Sequence, residues 1–115
     1  MKTITLAEQP LVKIQNRNGL YHRNIVDKSI GAQNFTFHYA KMEEGGFGVS
    51  HSHPENEHFL LVISGELELR NEQESHRVPA GTGIFVYPGE VHEVINVHKG
   101  PTEYYVMYSP PREEK

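Results

Sequence analysis

Nowhere along these 115 residues do apolar side chains recur at the three-to-four-residue spacing that seals one face of a helix. Short segments of Val, Ile, Leu, Phe and Tyr are instead separated by Gly, Pro, Asn and charged clusters, which reads as many strands joined by tight turns. Phe35–Met42 sets Phe35, Phe37 and Tyr39 against Thr36, His38 and Ala40, the two-residue period of a pleated strand. Glu44-Gly45-Gly46 is expected to turn that strand into Phe47–His53. His58–Ile63 is nearly continuously apolar, as in a strand covered on both sides. Ser64-Gly65 then turns it into Glu66–Arg70, whose strict alternation marks one wet face. Asn71–Ser75 reads as a polar turn and His76–Val78 as a short strand. Ile84–Tyr87, Val91–Val97 and Glu103–Ser109 give three more, with Tyr87-Pro88-Gly89-Glu90 placing Pro and Gly as a type II turn prefers. Short strands at this regular spacing predict an all-β antiparallel barrel or two-sheet jelly roll.

A chain of this length supports one modest core and therefore one domain. Residues 34–110 are assigned to the barrel, 1–33 to one or two edge strands open to exchange between subunits, and 111–115 to a solvated tail. The formal net charge of −4 provides no basic surface to neutralise phosphates, so nucleic acid is not an expected partner. No apolar stretch approaches the ~20 residues that span a bilayer, and MKTITLAEQP lacks the uninterrupted apolar run of a signal peptide. No membrane association and a cytoplasmic location are expected. Cysteine is absent, which removes disulfides and thiolates together and leaves nitrogen and oxygen as metal ligands.

The histidines carry the chemistry. His51 and His53 form an H-x-H pair, His58 follows five residues later, and His92 lies in Pro88-Gly89-Glu90-Val91-His92. A neutral imidazole offers a lone pair at physiological pH, and side chains two apart on a strand share a face, so His51 and His53 can converge on one ion. Any one of these residues alone reads better as a surface histidine; four at matched spacings do not. There is no Ser-His-Asp set, phosphate-cradling glycine loop or isolated carboxylate pair, which argues against hydrolytic and phosphoryl-transfer classes.

From about residue 34 to 110 the sequence resembles the cupin superfamily. Gly45, His51, His53 and Gly65 fit the first cupin motif, and Gly81, Gly89, His92 and Asn96 the second, with Tyr87 in place of that motif's first proline. The position of the motif's usual glutamate, six residues before Gly65, holds His58. In this the chain resembles small single-domain cupins of the four-histidine type, among them manganese and iron proteins. The resemblance implies metal ligands at His51, His53, His58 and His92. A competing assignment gives the third ligand to Glu57. Strand parity counted from Gly65 puts His58, Leu60 and Val62 on one face and Glu57 on the other, which favours His58, although parity fails if Glu57 sits at the loop end.

An all-nitrogen site suits one divalent transition metal, Mn, Fe, Co, Ni, Cu or Zn, and disfavours Mg or Ca. Four neutral ligands leave the ion's charge uncompensated, so the expected partner is a small anionic or chelating organic ligand or substrate. With iron or manganese the expected chemistry is dioxygenase-like oxidative cleavage; with zinc or nickel it is Lewis-acid isomerisation or cyclisation. A non-catalytic binding module is the remaining reading, since this fold hosts many functions. No separate general base is evident, which leans towards chemistry centred on the ion. Exposed sheet edges in so small a barrel, and the resemblance itself, imply a homodimer. Glu57 is a candidate to orient a ligating imidazole. His38, on the Phe35–Met42 strand, is a candidate to line the cavity, with an edge or surface position the stronger expectation. Either Tyr105 and Met107, or Tyr104, Val106 and Tyr108, line the pocket. Asn96 is expected to hydrogen-bond at a strand end, and no role is assigned to His22, His76 or His98.

Overall fold

The structure, a computed structural model, describes residues 1–112, and for 49–51 the backbone alone. Nine strands follow in order: β1 Val12–Lys13, β2 Asn18–Val26, β3 Thr36–His51, β4 Glu57–Ser64, β5 Glu66–Arg70, β6 Ser75–Pro79, β7 Gly83–Val86, β8 His92–Asn96 and β9 Thr102–Ser109. Two single 3-10 turns near the N-terminus are the helical segments among the described residues. No described helix is long and apolar enough to cross a membrane. All pairings are antiparallel, and one curling sheet runs β6-β5-β8-β3-β9-β4-β7, with β2 joining β1 to β3. This is an all-β, nearly closed barrel, as the segment pattern predicts. Within the one chain β2 pairs with β3, in register from Leu20 opposite Met42 to His22 opposite Ala40.

One expected turn is absent. Glu44-Gly45-Gly46 lies inside the 16-residue β3, which pairs with β9 through its first half and with β8 through its second. Gly46 has no room for a side chain: a Cβ there would sit 2.5 Å from Met42 Cγ and 2.9 Å from the Asn18 carbonyl oxygen. Glycine here marks close approach of β2 to a bending strand, not a reversal of the chain.

Alternate residues of the strands build the core. Leu20, Met42, Leu60, Val62, Leu67, Leu69, Val78, Val86, Val94, Tyr104 and Val106 are all buried and form one cluster. Gly65 (φ 91°) makes the β4–β5 reversal against the fully buried Thr102, where a Cβ would approach Thr102 Oγ1 to 2.3 Å. Asn96, the strand-end residue, ties the far side together. Its Nδ2 donates to the carbonyls of Met42, Glu43 and Gly100, and its Oδ1 accepts from Thr102 Oγ1 at 2.7 Å. The bend of β3 is thereby fixed to the β8–β9 connection. At the C-terminus the Arg112 carbonyl accepts from Thr36 Oγ1 and its guanidinium lies 5.9 Å from the Tyr108 ring centre, so Arg112 is packed against the barrel. The remainder of the expected solvated tail, 113–115, lies outside the described residues.

Candidate metal centre

Three segments bring the histidines to one end of the barrel. His58 follows the first residue of β4, His92 opens β8, and His53 sits in the loop between β3 and β4. That loop is held by its own backbone: the His53 carbonyl accepts from the amides of Asn56 and Gly89. Asn56, itself buried, donates from Nδ2 to the Pro110 carbonyl at 2.5 Å. Ring centres lie 5.2 Å apart for His53 and His58, 5.7 Å for His53 and His92, and 4.9 Å for His58 and His92. One nitrogen from each falls within 4.8 Å of the others, and all three residues are buried.

This donor set fits a transition ion. Each residue contributes a single imidazole nitrogen, and no carboxylate joins the cluster among the described residues. His92 Nδ1 lies 3.0 Å from the Glu90 carbonyl oxygen. A carbonyl only accepts, so Nδ1 carries the proton and the Nε2 lone pair is left for a metal; such a partner also fixes the ring's orientation. Glu57 is exposed and faces away, in alternation with the buried His58, Leu60 and Val62. The side chain of His51 lies outside the described residues; its backbone is paired with His92 across β3 and β8.

Two expectations are corrected inside the barrel. His38 is no surface residue, and His22, to which the sequence assigned no role, is no solvated one: each is 4% exposed and their ring centres lie 3.9 Å apart. The alternation of β3 turns Phe37 outward and His38, Ala40 and Met42 inward, and β2 turns Leu20 and His22 the same way. The parity of His22 with Leu20 was a legible signal. On β9, Tyr104, Val106 and Tyr108 point inward and Met107 outward. Tyr108 joins the two groups of histidines, with ring centres 4.8 Å from His58 and 6.0 Å from His38. Burial first, and the Arg17 charge second, lower the His22 pKa from 6.5 to about 3, so this imidazole is neutral at ordinary pH. His76 and His98 are exposed.

A hollow of about 40 Å³ runs between these groups, lined by Arg17, His22, His38, His58, His92 and Tyr108 together with apolar core residues. A second hollow, about 200 Å³, touches His92 but is otherwise bounded by residues such as the exposed Arg70, Glu74 and His76. Only the first reaches two of the three clustered histidines.

Fold and site together define a β-barrel with an inward-facing histidine cluster at one end. The Cupin domain family matches residues 38–108, and the chain belongs to that family. No curated protein sequence matches it. Among solved structures it is similar to the polyketide cyclase RemF from Streptomyces resistomycificus, with a TM-score of 0.85 and 22% identity over 99% of this chain and 84% of that one. It is similar also to a predicted oxalate decarboxylase from Thermotoga maritima, at 0.83 and 18% over 94% and 98%. An RmlC-like cupin from Shewanella frigidimarina gives 0.80 and 18% over 96% and 91%. At these identities the likeness is one of fold.

Proposed function

We propose that this chain is a mononuclear metal-dependent enzyme acting on a small anionic or chelating organic substrate, with His51, His53, His58 and His92 as ligands. The observation that carries this is the convergence of three buried imidazoles, with donor atoms within 4.8 Å of one another and no carboxylate among them. A divalent transition ion bound there supplies Lewis acidity and, where it is iron or manganese, redox capacity. The remaining groups belong to the chain. His22 and His38 line the hollow beside His58 and His92 without belonging to the cluster. With its pKa lowered to about 3, His22 stays neutral and is too weakly basic to take up a proton at ordinary pH, so it serves as a hydrogen-bonding partner for a substrate oxygen. Buried aromatic and aliphatic residues, among them Leu60, Tyr104, Val106 and Tyr108, form the rest of the wall.

A Lewis-acidic ion beside neutral hydrogen-bonding imidazoles favours isomerisation, cyclisation or decarboxylation at a polarised carbonyl. Similar folds that include a polyketide cyclase and a predicted oxalate decarboxylase are in keeping with it. The all-imidazole donor set, which accepts iron and manganese as well as zinc, supports a second reading, dioxygenase-like oxidative cleavage. The two separate on one panel of small 2-oxo and hydroxy acids, incubated with zinc-, manganese- and iron(II)-loaded protein. Deuterium exchange beside the carbonyl supports the first and dioxygen uptake the second. Neither, with any metal, leaves a binding module.

The proposed working form is a homodimer built on the outer face of β3, β9, β4 and β7. Phe37, Met107, Phe59 and Phe85 stand directly opposite one another across those four strands. Phe59, Leu61, Ile63, Phe85 and Met107 remain 37–43% exposed in the single chain. Four strands of this length present a face on the order of 500 Å² in plan. That lies towards the upper end of the roughly 300–600 Å² of the largest apolar patch on a typical monomer, a size that often marks a functional surface. With a surrounding rim it can reach the ~800 Å² each partner buries in a stable dimer. In a chain of net charge −4, a patch without ionised groups at its centre can oppose itself across a two-fold axis without like-charge repulsion.

A further inference from the structure

The wall of the hollow away from the clustered histidines is built from residues that no metal reading requires. His22 is 4% exposed, and its Nδ1 has no hydrogen-bond partner. A buried polar atom left in this state costs about 1–3 kcal/mol, so its retention calls for an explanation. Arg17, half-buried just ahead of β2, lines the same hollow. Its side chain lies against β3 at Gly48, where a Cβ would come within 3.2 Å of Arg17 Cδ and 3.4 Å of Nε. The glycine leaves room for the Arg17 side chain to pass over the strand at the rim of the hollow, where its Nη1 donates to the Asn16 carbonyl at 3.2 Å. Among the described residues Arg17 lines the hollow and no acidic side chain does.

We infer that Arg17 and His22 form an anion subsite for a small carboxylate, which binds with its carboxylate on Arg17, a substrate oxygen on His22 and its other end towards the histidine cluster. This deepens the enzyme reading above by naming the substrate class, and it rests on that reading only for the orientation of the second end. A guanidinium presents paired N–H donors matched to carboxylate geometry, whereas the neutral imidazole has one donor and one acceptor. The volume is selective. One water needs roughly 10–15 Å³ of such space, so about 40 Å³ admits a group of a few heavy atoms and no sugar ring or polycycle. The acid is short, or only its acid end enters.

The test uses malonate and its uncharged analogue malonamide, titrated into metal-free and zinc-loaded protein while histidine ring resonances are followed by NMR. Malonate is expected to bind both forms, shifting the His22 and His38 signals, with malonamide failing to compete. Arg17→Gln is expected to weaken malonate binding to the metal-free form about tenfold, with Arg17→Lys intermediate and zinc stoichiometry unchanged. Malonate affinity unchanged in Arg17→Gln, or binding confined to the zinc-loaded form, would overturn the subsite and assign the anion to the metal alone. Failure of the metal reading is seen separately, as wild-type protein that takes up no zinc.

Discussion

His58 near the start of β4 and His92 at the start of β8, strands separated in the sheet by β3 and β9, place their ring centres 4.9 Å apart at an interplanar angle of 45°. Both rings are almost wholly inaccessible to water. Imidazoles gathered in this way gain little by packing alone, and the proposed shared ion would account for their placement. His58→Ala is therefore expected to lose most of the bound metal, while Glu57→Ala, which alters an exposed side chain on the opposite face, retains it. Elemental analysis of both variants after identical loading decides the matter. Metal lost from Glu57→Ala and kept by His58→Ala would reverse the ligand assignment.

His22 makes stability depend on pH in a definite direction. Its folded-state pKa of about 3 lies below the ordinary 6.5, so on acidification the unfolded chain takes up the proton first. The contribution is complete above about pH 6.5 and is lost as pH falls towards 3. In metal-free protein, urea unfolding between pH 7 and 4 is expected to show His22→Gln with a shallower pH dependence than the wild type. The difference approaches one proton, about 1.4 kcal/mol per pH unit at most. Parallel curves for the two proteins would show that His22 does not titrate in this way.

The barrel itself was legible in the sequence because strand alternation and turn residues act locally, and because Gly65 and Asn96 hold positions few other residues can fill. Parity counted from Gly65 also placed His58 inward and Glu57 outward, as the structure has them. What local pattern left hidden depends on contacts far apart in the chain. Local pattern reads Gly45-Gly46 as a turn, since the approach of Asn18 that demands a glycine comes from another strand. The run His58–Ile63 reads as covered on both faces, yet Phe59, Leu61 and Ile63 are exposed in the single chain. His22 and His38 are hard to place from local sequence because the residues that bury them lie on other strands.

The outer apolar face gives a direct test of assembly. Met107→Arg introduces a charge at a site 40% exposed in the single chain, where the folded monomer has room for it. Light scattering after gel filtration is expected to show a dimer for the wild type and a monomer for the variant, with unchanged far-ultraviolet circular dichroism. A wild type that stays monomeric at high micromolar concentration would rule out this interface.

Gly65→Ala is expected to cost at least about 2 kcal/mol, combining a left-handed backbone for a non-glycine residue with the approach to Thr102. Asn96→Ala is expected to cost about 3 kcal/mol by stripping a buried donor from several carbonyls. Urea midpoints read both. Values within ~0.5 kcal/mol of the wild type would mean that the β4–β5 reversal and the β3 bend are held by other contacts.

The most direct measurement is metal content per chain, taken on untagged protein that has been stripped and then exposed to a mixture of manganese, iron(II), cobalt, nickel, copper and zinc. About one tightly held ion per chain is expected, reduced several-fold in His53→Ala, His58→Ala and His92→Ala alike. Retention of no metal by the folded wild type, or of a full ion by each of those three variants, would contradict the histidine cluster as a metal centre.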